Sequence, residues 1–375
     1  MIKTNKIMIK SSNLSWQHAP SDLTCTLPRP KDPEMRLLIS LVLTLALLAG
    51  LGSYAYWCQQ RPGSHYLSDL RSQVALDLGQ PGPRGNLLGI QPELLAADYH
   101  SLGRLRLKRA AYLDHARDRG MLSERTVVVL PEHIGTWLLA VGEKEELYRA
   151  SERRQALYWL AASNPVDFLG ALFAAKGDTR LDDALLRTKA KAMARDYQQL
   201  FGDLARDYGI TLVAGSIVLP EPRVELGRLE VGRGPLYNVS LVFDQAGNPL
   251  GQPQRHLFNA DTLSTTAPSA LQVLDTPAGK LGVLLGGDAS QLPGEKTAGN
   301  ERAELLVMPS DLENHSDDAQ LNEQLQANGI RAGLKVHLRG RLWERSGQPQ
   351  ALAFDAGQPS RSASDRGAQL INLWL

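Results

Sequence analysis

Residues 126–132 read Thr-Val-Val-Val-Leu-Pro-Glu. The β-branched run is too short for a helix and apolar throughout, so it reads as a buried strand. It ends at Pro131-Glu132, which leaves a carboxylate at the strand's end. Upstream, Asn86–Gln91 (NLLGIQ) is a short apolar strand, and Leu102–Arg119 has helical spacing through Leu105, Arg109, Leu113 and Ala116. Downstream, Glu143–Ala162 and Val166–Ala175 are helical, divided by Asn164-Pro165. Leu181–Tyr208 reads as one long amphipathic helix closed by Gly209, followed by a strand over Ile210–Val218.

The second half is richer in strands. Leu236–Asp244 and Gly251–Phe258 flank the turn Gln245-Ala246-Gly247-Asn248-Pro249 and predict a hairpin. A second hairpin is predicted from Leu271–Asp275 and Lys280–Gly286 around Thr276-Pro277-Ala278-Gly279. Glu304–Met308 is a strand, Asp318–Ala332 a helix, and Val336–Leu342, Ala351–Ala356 and Gln369–Leu373 close the domain. Residues 59–85, with Pro81-Gly82-Pro83, read as a linker holding at most one short helix. The globular domain is therefore expected over residues 86–375. No solenoid repeat or low-complexity run interrupts it.

Composition narrows the function. Of 375 residues, 41 are Lys or Arg and 40 are Asp or Glu, so the net charge of +1 offers no electrostatic footprint for nucleic acid. Both cysteines, Cys25 and Cys58, precede the globular part. A disulfide framework, a cysteine-ligated metal and a cysteine nucleophile are thereby excluded from it. The histidines lack metal-ligand spacing, and neither a metal nor a cofactor is expected. Gly227, Gly232 and Gly234 form no phosphate loop, because the Lys-Ser/Thr ending is missing.

Residues 37–57 (LLISLVLTLALLAGLGSYAYW) carry no charge and are long enough to span a bilayer as a helix. Tyr54, Tyr56 and Trp57 stand at the far end, where aromatic rings favour the interface. Lys3, Lys6, Lys10, Arg29, Lys31 and Arg36 precede the run, and Arg61 and Arg71 are the nearest basic residues after it. The excess predicts an N-terminus in the cytoplasm and a domain on the extracytoplasmic side, which in a Gram-negative bacterium would be the periplasm. A competing reading is a cleaved signal peptide at Ser53-Tyr54-Ala55, although the run is long for a signal sequence. Residues 1–34 read as a disordered tail, 35–58 as the anchor.

From residue 86 onward, further landmarks fall in a recognisable order: VVVLPE; YGITLVAGS (Tyr208–Ser216); LYNVSLVFDQAGNPLG (Leu236–Gly251); RHLF (Arg255–Phe258); GKLGVLLGGD (Gly279–Asp288); ELLVMPS (Glu304–Ser310); and a helix ending near Arg331-Ala332. In this order the chain resembles the carbon–nitrogen hydrolase, or nitrilase, superfamily. The resemblance implies a four-layer α-β-β-α sandwich, often paired into a homodimer. It also implies a triad: Glu as general base, Cys as nucleophile, Lys as oxyanion stabiliser.

Only the Glu is present, as Glu132. Gln254 stands at the Lys position and Gly286 at the Cys position, followed by Gly287 and Asp288. With Tyr237, Asn238 and His256, these residues make the expected pocket. Each has a blander reading. Glu132 could shape a turn, Gly286-Gly287 could ease tight backbone geometry, and His256 could satisfy a local hydrogen bond. Ser290 is the one hydroxyl close to the nucleophile position, but it should point elsewhere. Arg255 neighbours Gln254 and should face the opposite way. Asn238-Val239-Ser240 and Asn314-His315-Ser316 fit a glycosylation pattern that is common by chance. Lys189, Lys191 and Arg195 read as a solvated helix face. The expectation is a membrane-anchored, catalytically degenerate member that binds an unknown small molecule or protein. The alternative is an active amidase, nitrilase or N-acyltransferase with a non-standard nucleophile.

Overall fold

Alternation along each strand sets the layers. In the computed structural model, which describes residues 33–61, 66–175, 180–259, 264–268, 271–286, 302–312, 318–355, 357–363 and 365–375, one six-stranded sheet runs Ser72–Leu78, Ala368–Trp374, Asn86–Gln91, Thr126–Val129, Thr211–Val213 and Val242–Phe243. A second runs Val273–Thr276, Gly279–Val283, Leu305–Ser310, Ala332–His337, Leu352–Asp355 and Gln358–Arg361. Leu87, Val127, Val129, Val213 and Ile371 of the first sheet share a core with Leu281, Val283, Leu305, Val307, Leu334 and Val336 of the second.

The intervening residues face outward. Leu88, Ile90, Val128 and Leu212 pack with Leu105, Leu113, Met193, Tyr197, Leu200 and Leu204 of the helices Leu102–Asp118 and Ala190–Tyr208. Leu306, Met308, Leu352 and Phe354 pack with Leu321 and Leu325 of the helix Asp318–Ala327. Helix, sheet, sheet, helix is therefore the layer order, as expected. At Gly89 the sheets approach closely: a Cβ there would lie 2.4 Å from Val336 Cγ1.

The structure corrects several boundaries. Residues 59–85 are more than a linker, because Ser72–Leu78 pairs in parallel with the final strand Ala368–Trp374. That partner lies at the opposite end of the chain, so only tertiary pairing reveals the strand. The expected strand Ile210–Val218 breaks into Thr211–Val213 and Ile217–Pro220 at Gly215, whose φ is 67°. A Cβ at Gly215 would sit 2.0 Å from the Pro131 carbonyl, so glycine permits this approach. The expected helix Leu181–Tyr208 divides into Arg180–Arg187 and Ala190–Tyr208. At the break, Lys189 is not solvated but reaches Glu143 Oε1 at 2.9 Å.

The helix expected over Asp318–Ala332 ends at Ala327 near Gly329 (φ 71°), and Ala332 already opens a strand. The first predicted hairpin is likewise shared out. Leu236–Ser240 pairs with Gln254–Asn259 in a separate four-stranded sheet, whereas Val242–Phe243 joins the first large sheet. The second hairpin forms as predicted, with Val273 opposite Gly282.

Residues 56–375 form one compact unit. In the other, residues 33–55 lie in the helix Pro33–Gln59, which is long and apolar enough to cross a membrane. Residues 1–32 of the expected tail lie outside the described residues.

Candidate functional site

Glu132 ends the stretch that opened the sequence. Its backbone N–H donates to the Ser310 carbonyl at 3.2 Å, tying the ends of strands from the two large sheets. The side chain is 5% exposed, and its Oε1 accepts a 2.7 Å hydrogen bond from Asn238 Nδ2. Burial pushes its pKa up to about 8, helped by the nearby Asp311 charge and opposed by the Asn238 hydrogen bond and Arg345. At neutral pH the group is predominantly protonated, a donor rather than a base.

The next residue, His133, has φ 58°, unusual for a non-glycine residue. Its backbone N–H donates to Ser216 Oγ at 2.8 Å, and its Nδ1 lies 3.1 Å from Thr136 Oγ1. Its ring packs edge-on against Phe258 at 5.9 Å. Burial lowers its pKa, with the Asp311 charge acting against the shift. Asp311, just past the strand Leu305–Ser310, is paired with Arg345 at 2.6 Å. His133, Asp311 and Arg345 were not among the residues expected from sequence. Only the position of Asp311 beside the ELLVMPS landmark hinted at one of them.

The small sheet supplies the rest of this wall. Asn238 lies directly across from His256, and Ser240 from Gln254. Residues opposite each other share a face, so Asn238, Ser240, Gln254 and His256 stand together. All are buried. Gln254 Oε1 accepts from the Gln272 N–H at 3.1 Å. Among the described residues, Asn238 Oδ1, Ser240 Oγ and both His256 ring nitrogens have no hydrogen-bond partner. Burial depresses the His256 pKa to about 4. Tyr237, by contrast, is adjacent to Asn238 and points to the other face, with Arg255 5.5 Å above its ring. The structure therefore removes Tyr237 from the expected pocket. Arg255 likewise faces away from Gln254.

Gly286 follows the strand Gly279–Val283, and its N–H donates to the Pro309 carbonyl at 3.1 Å. Glu132 and Gly286 are thus held by consecutive carbonyls, those of Ser310 and Pro309. Gly286 is exposed, has φ 78°, and among the described residues a Cβ there would meet nothing within 4 Å. Gly287, Asp288, Ser290 and Asn314-His315-Ser316 lie outside the described residues. The structure brings Glu132, Asn238, His256 and Gln254 to one buried wall, with Gly286 at the neighbouring strand end.

No protein-family profile matches the chain, and no curated protein does. Solved structures of an amidase from Nesterenkonia sp. AN1 do match. A double mutant of it in complex with acrylamide is 15% identical, with a TM-score of 0.46, over 79% of this chain and 93% of that one. A cysteine-to-alanine mutant in complex with butyramide is 16% identical, with a TM-score of 0.47, over 78% and 92%. A cysteine-to-serine mutant, described as from the nitrilase superfamily, is 15% identical, with a TM-score of 0.46, over 77% and 92%. The chain is similar to nitrilase-superfamily amidases. The nitrilase-like layer order follows from the cores described above. No residue role is carried over from these structures.

Proposed function

We propose that this chain is a single-pass, membrane-anchored nitrilase-like protein that has lost catalysis and serves as a binding module. The globular part stands outside the cytoplasmic membrane, in keeping with the basic residues ahead of the apolar run. The observation that carries the reading is Gly286. The resemblance puts this residue without a side chain at the nucleophile position, and its N–H is held by the Pro309 carbonyl, next in sequence to the Ser310 carbonyl that holds Glu132. At the Lys position, Gln254 supplies no cation to stabilise an oxyanion. Losing one member of such a unit removes most of the rate.

Binding has its own support. Among the described residues, Asn238 Oδ1, Ser240 Oγ and the His256 nitrogens have no hydrogen-bond partner, and all belong to one strand pair. Glu132 and His256 are both neutral at pH 7 by the shifts above. A wall of neutral donors and acceptors suits an uncharged polar group on a small molecule or protein better than an anion. The family resemblance adds a homodimer to this reading.

One observation favours the alternative of an active hydrolase or N-acyltransferase: Glu132 is retained, buried and strongly perturbed, as catalytic carboxyls are. The test is an assay of the full chain in detergent for ammonia release from short amides and nitriles, beside Glu132→Gln. The binding reading expects no difference between the two. Turnover that disappears in the variant would overturn it.

A further inference from the structure

The helix Pro165–Ala174 (PVDFLGALFA) is apolar on the side where a surface helix is ordinarily polar. Helical spacing places Phe168, Ala171 and Leu172 on one side, and Ala171 and Ala175 are buried against Ala184 of the Arg180–Arg187 helix. The opposite side carries Val166, Leu169 and Phe173, which are 81%, 52% and 83% exposed. Gly170 lies in the same arc, and the helix's one charge, Asp167, falls outside it. Tyr158 and Leu181, on the flanking helices, add further exposed apolar surface.

The chain enters the globular unit at this helix. Cys58 Sγ lies 3.7 Å from the Ala162 carbonyl, and Arg61 Nη2 lies 3.3 Å from the Ser163 carbonyl and 3.4 Å from Asn164 Oδ1. The Trp57 and Trp159 rings are 6.4 Å apart, and the Lys144 ammonium sits 4.1 Å from the Trp57 ring centroid. Buried Glu143 locks the junction, accepting from Ser163 Oγ and Asn164 Nδ2 at 3.0 Å each. Residues 37–57 run directly into this junction. With those residues in a bilayer, the polar boundary falls at Tyr56-Trp57. Asn164-Pro165, which begins the apolar helix, is held against that boundary.

We propose that the Pro165–Ala174 helix is a second membrane contact, with Val166, Leu169 and Phe173 lying in the headgroup and acyl boundary of the bilayer that holds the span. The inference rests on the reading of residues 37–57 as that span. An interfacial helix of this kind needs an apolar face and neighbouring aromatic residues, and both are here.

The test uses the full chain with Cys25→Ser and Cys58→Ser in vesicles of phosphatidylcholine and phosphatidylglycerol. An environment-sensitive fluorophore is placed by Val166→Cys, Phe173→Cys, Leu47→Cys or Leu226→Cys in separate preparations. The expected result is quenching by nitroxide-bearing lipids and protection from iodide at 166, 173 and 47. Residue 226, fully exposed on a distant hairpin, should behave in the opposite way. Iodide access at 166 and 173 with 47 in lipid overturns the helix contact and leaves the span standing. Protection of 166 and 173 from both quenchers means a protein partner or second copy covers the helix, and also overturns it. A label at 47 open to iodide overturns the span reading and this proposal with it.

Discussion

Asn238 donates from Nδ2 to Oε1 of Glu132 at 2.7 Å, and both side chains are buried. The bond joins the end of a central strand to the small sheet, so it positions the wall of the site as well as one carboxyl. Removing it by Asn238→Ala leaves the Glu132 carboxyl without its partner. A destabilisation of about 1–3 kcal/mol is expected from an unsatisfied buried group. Urea unfolding of the detergent-solubilised chain measures it. Because the amide bond holds the Glu132 pKa down, the variant should also raise that pKa further. An unchanged midpoint would mean that the pair contributes nothing net.

Glu132 makes stability depend on pH with a definite sign. Its folded pKa is raised from 4.5 to about 8. Between those values the native protein keeps a proton that the unfolded chain has released. The contribution is therefore full below pH 4.5 and lost as pH rises toward 8. Glu132→Gln keeps an acceptor for Asn238 and removes the titration. Stability curves of the two proteins should diverge across this window, the variant being flatter. Parallel curves would show that Glu132 is ionised in the native state.

His256 has the opposite sign. Burial lowers its pKa from 6.5 to about 4, so the unfolded chain takes up a proton before the native one does. Stability is present above pH 6.5 and lost as pH falls toward 4. His256→Phe should flatten that acid limb. It should cost little at pH 7, because it also removes two ring nitrogens that have no partner among the described residues. A loss of several kcal/mol at neutral pH would instead mean that the ring makes an essential bond.

These residues also show what a sequence can and cannot disclose. The layer order was legible through the family resemblance, whereas the apolar run Val127-Val128-Val129 carries no alternation and only the structure shows Val127 and Val129 facing the inter-sheet core and Val128 the helices. Landmarks in a family's order led to Glu132, Gln254 and Gly286 as the expected site, and in the structure Asn238 joins Glu132 to the strand pair that carries Gln254 and His256. The exclusion of Tyr237 needed the pairing register, which fixes the face each residue presents. His133 and the Asp311–Arg345 pair escaped because a positive φ and a contact between distant loops leave no local signal. The strand Ser72–Leu78 was hidden by its distance from its partner.

Gly89 lies where the two large sheets meet closely. A methyl group there would stand 2.4 Å from Val336 Cγ1 and 3.0 Å from Leu334 Cδ2. Gly89→Ala should destabilise by about 1–3 kcal/mol through overpacking. Val336→Ala makes room, so the double variant should be more stable than the sum of the two single changes predicts. Additive effects in the cycle would show that the sheets do not meet at this point.

Gly286 allows the degenerate site to be probed by adding what it lacks. Its φ of 78° strains any other residue, at roughly 1–2 kcal/mol, but a Cβ meets no atom of the described residues within 4 Å. Gly286→Cys, with Cys25→Ser and Cys58→Ser, should therefore fold with a small loss of stability and react with maleimide. It should still release no ammonia from amides, because Glu132 is protonated near pH 7 and Gln254 supplies no positive charge. Adding Gln254→Lys restores the cation but buries it against the Gln272 N–H, so that variant is expected to lose more stability than the first. Turnover by Gly286→Cys alone, rising through pH 8 as Glu132 ionises, would show that only the thiol had been missing. A thiol that resists maleimide would show that Gly286 does not open on the surface.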